Sequence, residues 1–219
     1  MPLVTTIGFI GGTGPEGKGL AYRFALAGHD VVVGSRSAER AEEAAREIAQ
    51  HAGSSNARGA ANEDAARAAE IVVLTVPYSA QAGTLPRLAD ACAGKVVIST
   101  AVPLEFESGR PSMPQVPEGS AAQQAQAMLP ASRVVGAFHN LSATKLWKDA
   151  SALDQDVIVC ADDADAKRDA MALAGEIAGV RAVDGGPLAA SRYVEGITVL
   201  LIGINKAYKT AAGVRIVGV

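Results

Sequence analysis

The stretch that decides the fold is TIGFIGGTGPEGKGLAYRFALA, residues 6–27. Its first five residues form an apolar run that predicts a buried strand, and residues 20–27 predict a helix. Between them, Gly12, Gly14 and Gly17 fit the pattern G-x-G-x-x-G. In that pattern the first glycine permits a tight turn, the second lets backbone approach a pyrophosphate, and the third lets the helix pack close to the strand. Because a strand precedes the glycines and a helix follows them, we predict a dinucleotide-binding loop rather than an ordinary glycine-rich connection.

The end of the second predicted strand, residues 30–34, indicates which dinucleotide binds. NAD-binding folds usually carry Asp or Glu there to hold the ribose 2′-hydroxyl. This chain has Ser35 and Arg36 instead, with Arg40 one helical turn further on. A hydroxyl and two guanidinium groups would bind a 2′-phosphate, which a carboxylate would repel. The alternative is that both arginines are solvated charges at the start of a polar helix. Their position favours the binding interpretation, and we predict NADP(H) rather than NAD(H).

Composition restricts the class of protein. The chain has 219 residues, of which 49% are hydrophobic and 20% charged, so a large core is expected and disorder is not. A net charge of −3 gives no electrostatic reason to expect nucleic-acid binding. Cys92 and Cys160 lie in apolar segments without metal-ligand spacing, and they predict reduced core thiols in a cytoplasmic protein. We see neither a signal peptide nor an apolar run long enough to span a membrane, and we predict no metal site.

The remaining apolar runs predict a Rossmann-type, mostly parallel sheet with helices on both faces, plus a small C-terminal helical subdomain. Further strands are expected at residues 57–61, 71–76, 95–99, 133–138, 156–160 and 181–184. Residues 1–184 would form the NADP-binding domain and residues 185–219 a helical dimerisation segment. The second half of that segment's helix is apolar nearly all round, so it should be buried, with a second subunit as a natural cover. Residues 104–119 predict a long loop, which suggests a lid over the site, with simple disorder as the alternative. Residues 214–219 predict a short terminal strand.

Residues at the strand ends are candidates for a reaction site, because ligands of open α/β sheets lie outside the carboxyl ends of the strands. Pro77, Tyr78, Val102 and Pro103 follow two central strands, although the prolines could equally just end them. His139 is the one histidine at a strand end, and we interpret it as a pocket-lining residue rather than an acid or base. The sequence shows no G-x-S-x-G, H-E-x-x-H or Cys/His cluster. That absence suits hydride transfer between two bound cofactors, which needs orientation more than a proton-transfer residue.

Several motifs together resemble the NADPH-dependent coenzyme F420 reductases. They are GGTGxxGKGL at 11–20, GH at 28–29, VVGSR at 32–36, NEDAA at 62–66, VLTVP at 73–77, VP at 102–103, His139, DD at 162–163 and GPLxxSRxVE at 186–195. The resemblance implies hydride exchange between NADPH and the deazaflavin C5 atom of F420, in a homodimer built through the C-terminal segment. It implies that NADP contacts Thr13, Gly14, Pro15, Glu16, Ser35, Arg36 and Arg40. It also implies a nicotinamide and deazaflavin pocket that includes Tyr78, Val102, His139, Leu141 and Ala143. At the strand ends, Val76, Pro77 and Pro103 are further candidates for contact with the cofactor.

Two alternatives remain open at this point. The chain could reduce another acceptor with NADPH, such as a free flavin, an imine or a metal. It could also be an NADP-binding regulatory module that catalyses no reaction.

Overall fold

A computed structural model describes residues 4–219. The strands are β1 (Thr6–Ile10), β2 (Asp30–Ser35), β3 (Ala57–Ala61), β4 (Ile71–Leu74), β5 (Val96–Ser99), β6 (Glu105–Glu107), β7 (Arg110–Ser112), β8 (Arg133–Gly136), β9 (Gln155–Ala161) and β10 (Val180–Asp184). The α-helices are α1 (Pro15–Leu26), α2 (Ala38–Ala52), α3 (Asn62–Ala68), α4 (Tyr78–Thr84), α5 (Ala89–Cys92), α6 (Ala121–Met128), α7 (Ala143–Lys148), α8 (Ala164–Gly175) and α9 (Ser191–Tyr208). Short 3-10 helices cover Leu85–Leu88 and Leu188–Ala190.

Eight strands form one sheet in the order β10-β9-β8-β5-β4-β1-β2-β3. Every neighbouring pair is parallel except β8 and β9, which are antiparallel. The chain builds outward from β1 through β2 and β3, then returns to place β4 on the other side of β1. Strand order reverses there, which is where open α/β sheets bind ligands. The predicted Rossmann-type sheet is confirmed.

Apolar residues alternate along the strands and supply a core on each face of the sheet. Ile7 and Phe9 join one cluster together with residues of α1, α2, α7 and α8, whereas Ile10 joins a second cluster with residues of α3, α5 and α6. Both cysteines are free and buried, which confirms their prediction as core thiols. Burial raises the pKa of the Cys92 thiol to about 11.

Three local expectations are corrected by the structure. The sequence after Tyr78 predicts one helix to about residue 91, but the structure breaks it into α4, a 3-10 turn and α5, because Pro86 removes a backbone donor in its middle. Residues 104–119 are not wholly loop, since β6 and β7 form an antiparallel hairpin within them. The expected terminal strand at 214–219 is absent from the described chain, although the Val214 carbonyl accepts a hydrogen bond from the Asp156 N–H at 2.8 Å.

The C-terminal helix α9 is less buried than its composition predicts. Ser191, Val194, Glu195 and Leu201 are buried, whereas Leu200 is 63% exposed within the single chain. By length and composition Leu188–Tyr208, with mean hydropathy 1.2, is the one stretch of residues 4–219 that could cross a membrane. The expectation that no apolar run is long enough is therefore wrong for this helix.

A buried carboxylate fastens α9 to the rest of the fold. Glu195 accepts hydrogen bonds from the N–H groups of Ala121 and Ala122 at 3.0 and 3.2 Å, which are the first two residues of α6. Burial raises the pKa of this carboxyl to about 7. Because the first N–H groups of a helix have no partner within the helix, Glu195 supplies the partners that α6 needs.

Candidate functional site

A cavity of about 600 Å³ opens at the carboxyl edge of the sheet, where β1 meets α1. It adjoins the ends of β2 and β4, so it lies at the point where the strand order reverses. Ten residues predicted from the sequence to contact the dinucleotide line it: Thr13, Gly14, Pro15, Glu16, Gly17, Ser35, Arg36, Arg40, Val76 and Pro77. The fold therefore brings the glycine loop and the two arginines to one site.

The glycine loop has the shape that its sequence pattern requires. A Cβ atom on Gly17 would lie 2.6 Å from the Cα atom of Gly12, so only glycine lets α1 approach β1 this closely. Gly12 itself lies beneath the cavity and is not part of its lining. Around Gly14 there is open space, because the nearest heavy atom to a Cβ there is the Gly11 carbonyl oxygen at 3.9 Å. Bare backbone and the unpaired N–H groups at the start of α1 can therefore approach a phosphate.

Asn62 fixes the loop in a way that the sequence pattern did not reveal. An asparagine at the start of a helical segment is a common helix cap, but Asn62 is the first residue of α3, and the preceding Ala61 is the cap residue. Its side-chain oxygen instead accepts a hydrogen bond from the Gly11 N–H at 3.1 Å. The Gly12 N–H donates to the Gly34 carbonyl at 3.0 Å, so the loop is tied to α3 and to β2.

The cavity wall at the end of β2 is positively charged. Ser35 is buried, and its hydroxyl accepts a hydrogen bond from the Ser37 N–H at 3.3 Å. Arg36 and Arg40 are exposed on the same wall, and neither forms an ion pair with another residue of the described chain. The adjacent acid, Glu39, points its carboxylate at the Ser37 hydroxyl, 2.6 Å away. This wall can accept an anion such as a 2′-phosphate.

Glu16 places a carboxyl group in the cavity, beside the start of α1. Its Oε1 atom is buried and has no hydrogen-bond partner within residues 4–219. Burial raises the pKa of this carboxyl to about 8, so it is largely protonated and neutral at pH 7. A neutral carboxyl group does not repel a phosphate and can donate a hydrogen bond to it.

Apart from Val76 and Pro77, the residues predicted for the nicotinamide and the acceptor lie at the same edge of the sheet but outside this cavity. Tyr78 follows β4 and Val102 follows β5, and both are half-buried, whereas Pro103 is buried. The Tyr78 hydroxyl accepts a weak hydrogen bond from Gln124 Nε2 of α6 at 3.4 Å. Leu141, two residues beyond His139, is also buried.

His139 follows β8 through a strained turn. Phe138, just before it, has a φ of 66°, which is unusual for a residue with a side chain. The imidazole is buried, and neither ring nitrogen has a hydrogen-bond partner in the described chain. Burial lowers the pKa of His139 to about 4, so the ring is neutral at pH 7. A neutral ring with two free nitrogens can donate one hydrogen bond and accept another, which suits a pocket wall better than a general acid.

Ser191 is a second buried polar group at this pocket, and sequence reasoning gave it no role. A Cβ atom on Gly136 would lie 2.3 Å from the Ser191 hydroxyl oxygen and 3.3 Å from Cε1 of His139. Gly136, with no side chain, therefore leaves room for both the Ser191 hydroxyl and the edge of the His139 ring. The Thr198 hydroxyl donates to the His139 carbonyl at 2.8 Å, so α9 packs against the residues that follow β8.

Ala143, the last of the predicted residues, lines a different hollow of about 200 Å³. Pro15 of the glycine loop lines the same hollow, next to the ion pair between Lys18 and Glu47. Ala143 therefore lies near the phosphate loop but does not share the main cavity with it.

A further cavity of about 630 Å³ lies at the ends of β9 and β10. Because β9 runs antiparallel to β8, these ends lie at the opposite edge of the sheet from the glycine loop. The charged lining is already paired, with Lys167 Nζ 2.8 Å from Asp184 and Arg168 2.5 Å from Asp165. Size alone therefore does not identify the functional site.

Comparison with known proteins agrees with this geometry. The profile of the family described as NADP oxidoreductase, coenzyme F420-dependent, matches residues 6–103. An F420-dependent NADP reductase of Methanothermobacter thermautotrophicus is 42% identical, over 98% of this chain and 95% of the relative. One from Methanocaldococcus jannaschii is 41% identical, over 96% of this chain and 97% of the relative.

A solved structure supports the same relationship. The crystal structure of a candidate F420-dependent NADP reductase from Arthrobacter sp. FB24 has a TM-score of 0.83 and 27% identity, covering 97% of this chain and 99% of that one. Similarity of this extent covers the glycine loop, the arginine wall and the C-terminal helix alike. The chain therefore belongs to the family of F420-dependent NADP reductases.

Proposed function

We propose that this protein transfers a hydride between NADP(H) and coenzyme F420. The observation that carries the proposal is the cavity at the strand-order reversal, which unites the glycine loop with an unpaired Arg36 and Arg40. The fold and the site alone would allow another acceptor or a non-catalytic module. Membership in the family, at about 42% identity over nearly the full chain, favours F420 as the acceptor.

On the dinucleotide side, the chain's own residues would bind and orient NADP(H). The backbone from Thr13 to Gly17 would hold the pyrophosphate at the start of α1, where the helix dipole is positive. Ser35, Arg36 and Arg40 would hold the 2′-phosphate of the adenosine ribose. These contacts would direct the nicotinamide along Val76 and Pro77 toward the ends of β4 and β5.

On the acceptor side, F420 supplies a deazaflavin ring whose C5 atom exchanges the hydride. Tyr78, Val102, Pro103, His139, Leu141 and Ala143 are the residues that we assign to the ring and the nicotinamide. Their common property is that they follow β4, β5 and β8 at the carboxyl edge. The task of these residues is to hold two rings in contact and exclude water, since close approach of donor and acceptor lowers the barrier.

Assembly and location complete the proposal. We assign residues 1–184 to NADP binding and residues 185–219 to the contact between two subunits of a cytoplasmic homodimer. Leu200 and Tyr193 of α9 are 63% and 69% exposed in the single chain. Exposed apolar side chains on one helix are typical of a surface that a partner covers.

Mixing the purified protein with NADPH and F420 tests the proposal. Loss of deazaflavin absorbance together with NADPH oxidation is the expected result. Rapid oxidation of NADPH by FMN without any change in F420 would instead indicate a flavin reductase. NADPH binding without turnover of either acceptor would indicate a regulatory module, and both results would refute the proposal.

A further inference from the structure

Arg23 is a charged side chain of α1 that is buried inside the fold. It is only 3% exposed, and no carboxylate of residues 4–219 lies within ion-pair distance of its guanidinium group. Burying a charge is costly, so the guanidinium needs hydrogen-bond acceptors that replace the water it has lost. Sequence reasoning gave Arg23 no role, and it does not line the nucleotide cavity.

Three backbone carbonyl groups supply those acceptors, and all three belong to α7 or to the segment just after it. Arg23 Nε donates to the Leu146 carbonyl at 2.8 Å. Its two terminal nitrogens donate to the carbonyls of Lys145 at 2.9 Å and Ser151 at 2.8 Å. The last carbonyls of a helix have no partner within the helix and carry the negative end of its dipole, so a cation is favoured there. Because α7 has only six residues, it would be marginal without such contacts.

Gly19 brings the two helices into close contact. It lies one turn before Arg23, on the same face of α1. A Cβ atom on Gly19 would lie 2.7 Å from the Leu146 Cβ atom and 3.3 Å from the Ala143 carbonyl oxygen. A side chain at this position would therefore push α7 away from α1.

The residue after Arg23 holds the other end of the same segment. The Phe24 ring meets the Phe138 ring edge to face, with the two centroids 6.0 Å apart. Phe138 directly precedes His139 and has the positive φ described above. The chain from Phe138 to Ser151 is thus held against α1 at both of its ends and at α7.

The opposite end of α1 belongs to the nucleotide site. The helix begins at Pro15, and Pro15 and Gly17 line the nucleotide cavity. Arg23 is eight residues beyond Pro15, which is about 12 Å along the helix axis. Because a helix without a kink is stiff over such a distance, α1 fixes the separation between the glycine loop and the segment that carries His139 and Ala143.

We propose that Arg23 is a positioning residue for hydride transfer, because it holds the segment of residues 138–151 on the helix that binds the pyrophosphate. This inference rests on the proposed function. Arg23 contacts neither cofactor and acts through α7, so it sets the approach of the two rings rather than the affinity for NADPH. Reaction rates depend steeply on that approach, and a misplacement of about 1 Å can cost about a hundredfold.

Arg23→Lys tests the proposal in single-turnover kinetics at saturating NADPH and F420, well below the melting temperature of each variant. Lysine keeps the charge but not the planar fork, so it cannot reach all three carbonyl groups at once. The rate of hydride transfer should fall about tenfold, whereas the Kd for NADPH should stay within about twofold of wild type, because the cavity lining is unchanged. Arg46→Lys is the matched control, since Arg46 is an exposed arginine of α2 that lines none of the cavities described above, and it should change neither value.

Gly19→Ala is a second variant, which displaces α7 without removing a hydrogen-bond donor. Alanine favours the helical state, so α1 itself should not be weakened. The added Cβ atom meets Leu146, and the rate of hydride transfer should fall while the Kd for NADPH stays unchanged.

A role in stability alone would give the opposite pattern, namely a lower melting temperature with a wild-type rate in the folded protein. That result in Arg23→Lys, or a loss of NADPH affinity as large as the loss of rate, would overturn the inference. If Arg23→Lys does not fold, the rate of Gly19→Ala decides, and a wild-type rate there would overturn it. A wild-type protein that transfers no hydride to F420 would refute the proposed function itself, and the positioning role with it.

Discussion

Replacing Arg36 by alanine is the sharpest test of the choice between NADP(H) and NAD(H). Arg36 lines the cavity at the end of β2 and has no ion-pair partner in the described chain, so its charge is available to a 2′-phosphate. A hydrogen bond to a charged group contributes about 1.5–3 kcal/mol. Because Arg36 is exposed, solvent screening places it near the lower limit, and we expect about a tenfold rise in the Kd for NADPH. NADH lacks the phosphate, so its Kd should change by less than about twofold.

The assay is a titration of each variant with NADPH and with NADH, followed by nicotinamide fluorescence or calorimetry at low and high salt. Salt should weaken NADPH binding more in wild type than in Arg36→Ala, because the variant lacks one of the charges that salt screens. Arg46→Ala serves as the control for loss of a surface charge, because Arg46 is an exposed arginine of α2 that does not line this cavity. The double variant Arg36→Ala/Arg40→Ala should lose more affinity for NADPH than Arg36→Ala. An equal loss for NADPH and NADH would refute the argument, since it would assign Arg36 to part of the dinucleotide that both cofactors share.

Three further predictions follow from buried groups and from α9. Above pH 8 Glu16 ionises and its carboxylate would repel the phosphates of NADP⁺, so the Kd for NADP⁺ should rise by up to about tenfold per pH unit. Calorimetry between pH 7 and 9 should show no such rise in Glu16→Gln, whose side chain stays neutral. Burial lowers the pKa of His139 to about 4, so the stability that its neutral ring contributes is complete above pH 6.5 and is lost as the pH falls toward 4. In urea unfolding, the free energy of unfolding should therefore fall less in acid for His139→Asn than for wild type. Identical losses in the two proteins would contradict this. Leu200→Asp places a charge on the exposed apolar face of α9, so it should convert the proposed dimer to a monomer, as measured by light scattering. A wild-type protein that is already a monomer would refute the proposed dimer.

The dinucleotide half of the site could be predicted because its signals are local in sequence. Gly12, Gly14 and Gly17 stand between a strand and a helix, and their spacing alone prescribes the turn that the structure contains. Arg36 was predictable for the same reason, because the end of β2 is a fixed distance from the glycine loop in a parallel βαβ unit. Local spacing and backbone geometry carry this part of the argument.

The acceptor half could be predicted only as a set of strand ends, because its contacts join residues that are far apart in the chain. The same holds for one contact of the dinucleotide half, where Asn62 reaches Gly11 across 51 positions and nothing in the local pattern separates that role from a helix cap. The contact of Ser191 with Gly136 depends on how α9 crosses the sheet, which composition does not specify. Cover of α9 by a second subunit stays a prediction, since an apolar helix indicates that a cover is needed, and Leu200 is 63% exposed in the single chain.

The antiparallel pairing of β8 with β9 explains how α9 comes to lie beside His139. Since β9 runs opposite to β8 and β10 is parallel to β9, the chain leaves β10 at the edge of the sheet opposite the glycine loop. The 3-10 turn before α9 is held there by the Asp162 carboxylate, which accepts the Leu188 N–H at 2.9 Å. From that edge α9 starts beside Gly136 and reaches the His139 carbonyl with Thr198, seven residues and therefore about 10 Å later. If β9 were parallel to β8, the chain would leave at the carboxyl edge and α9 would point away from His139, so the contact between α9 and His139 depends on this one antiparallel pair.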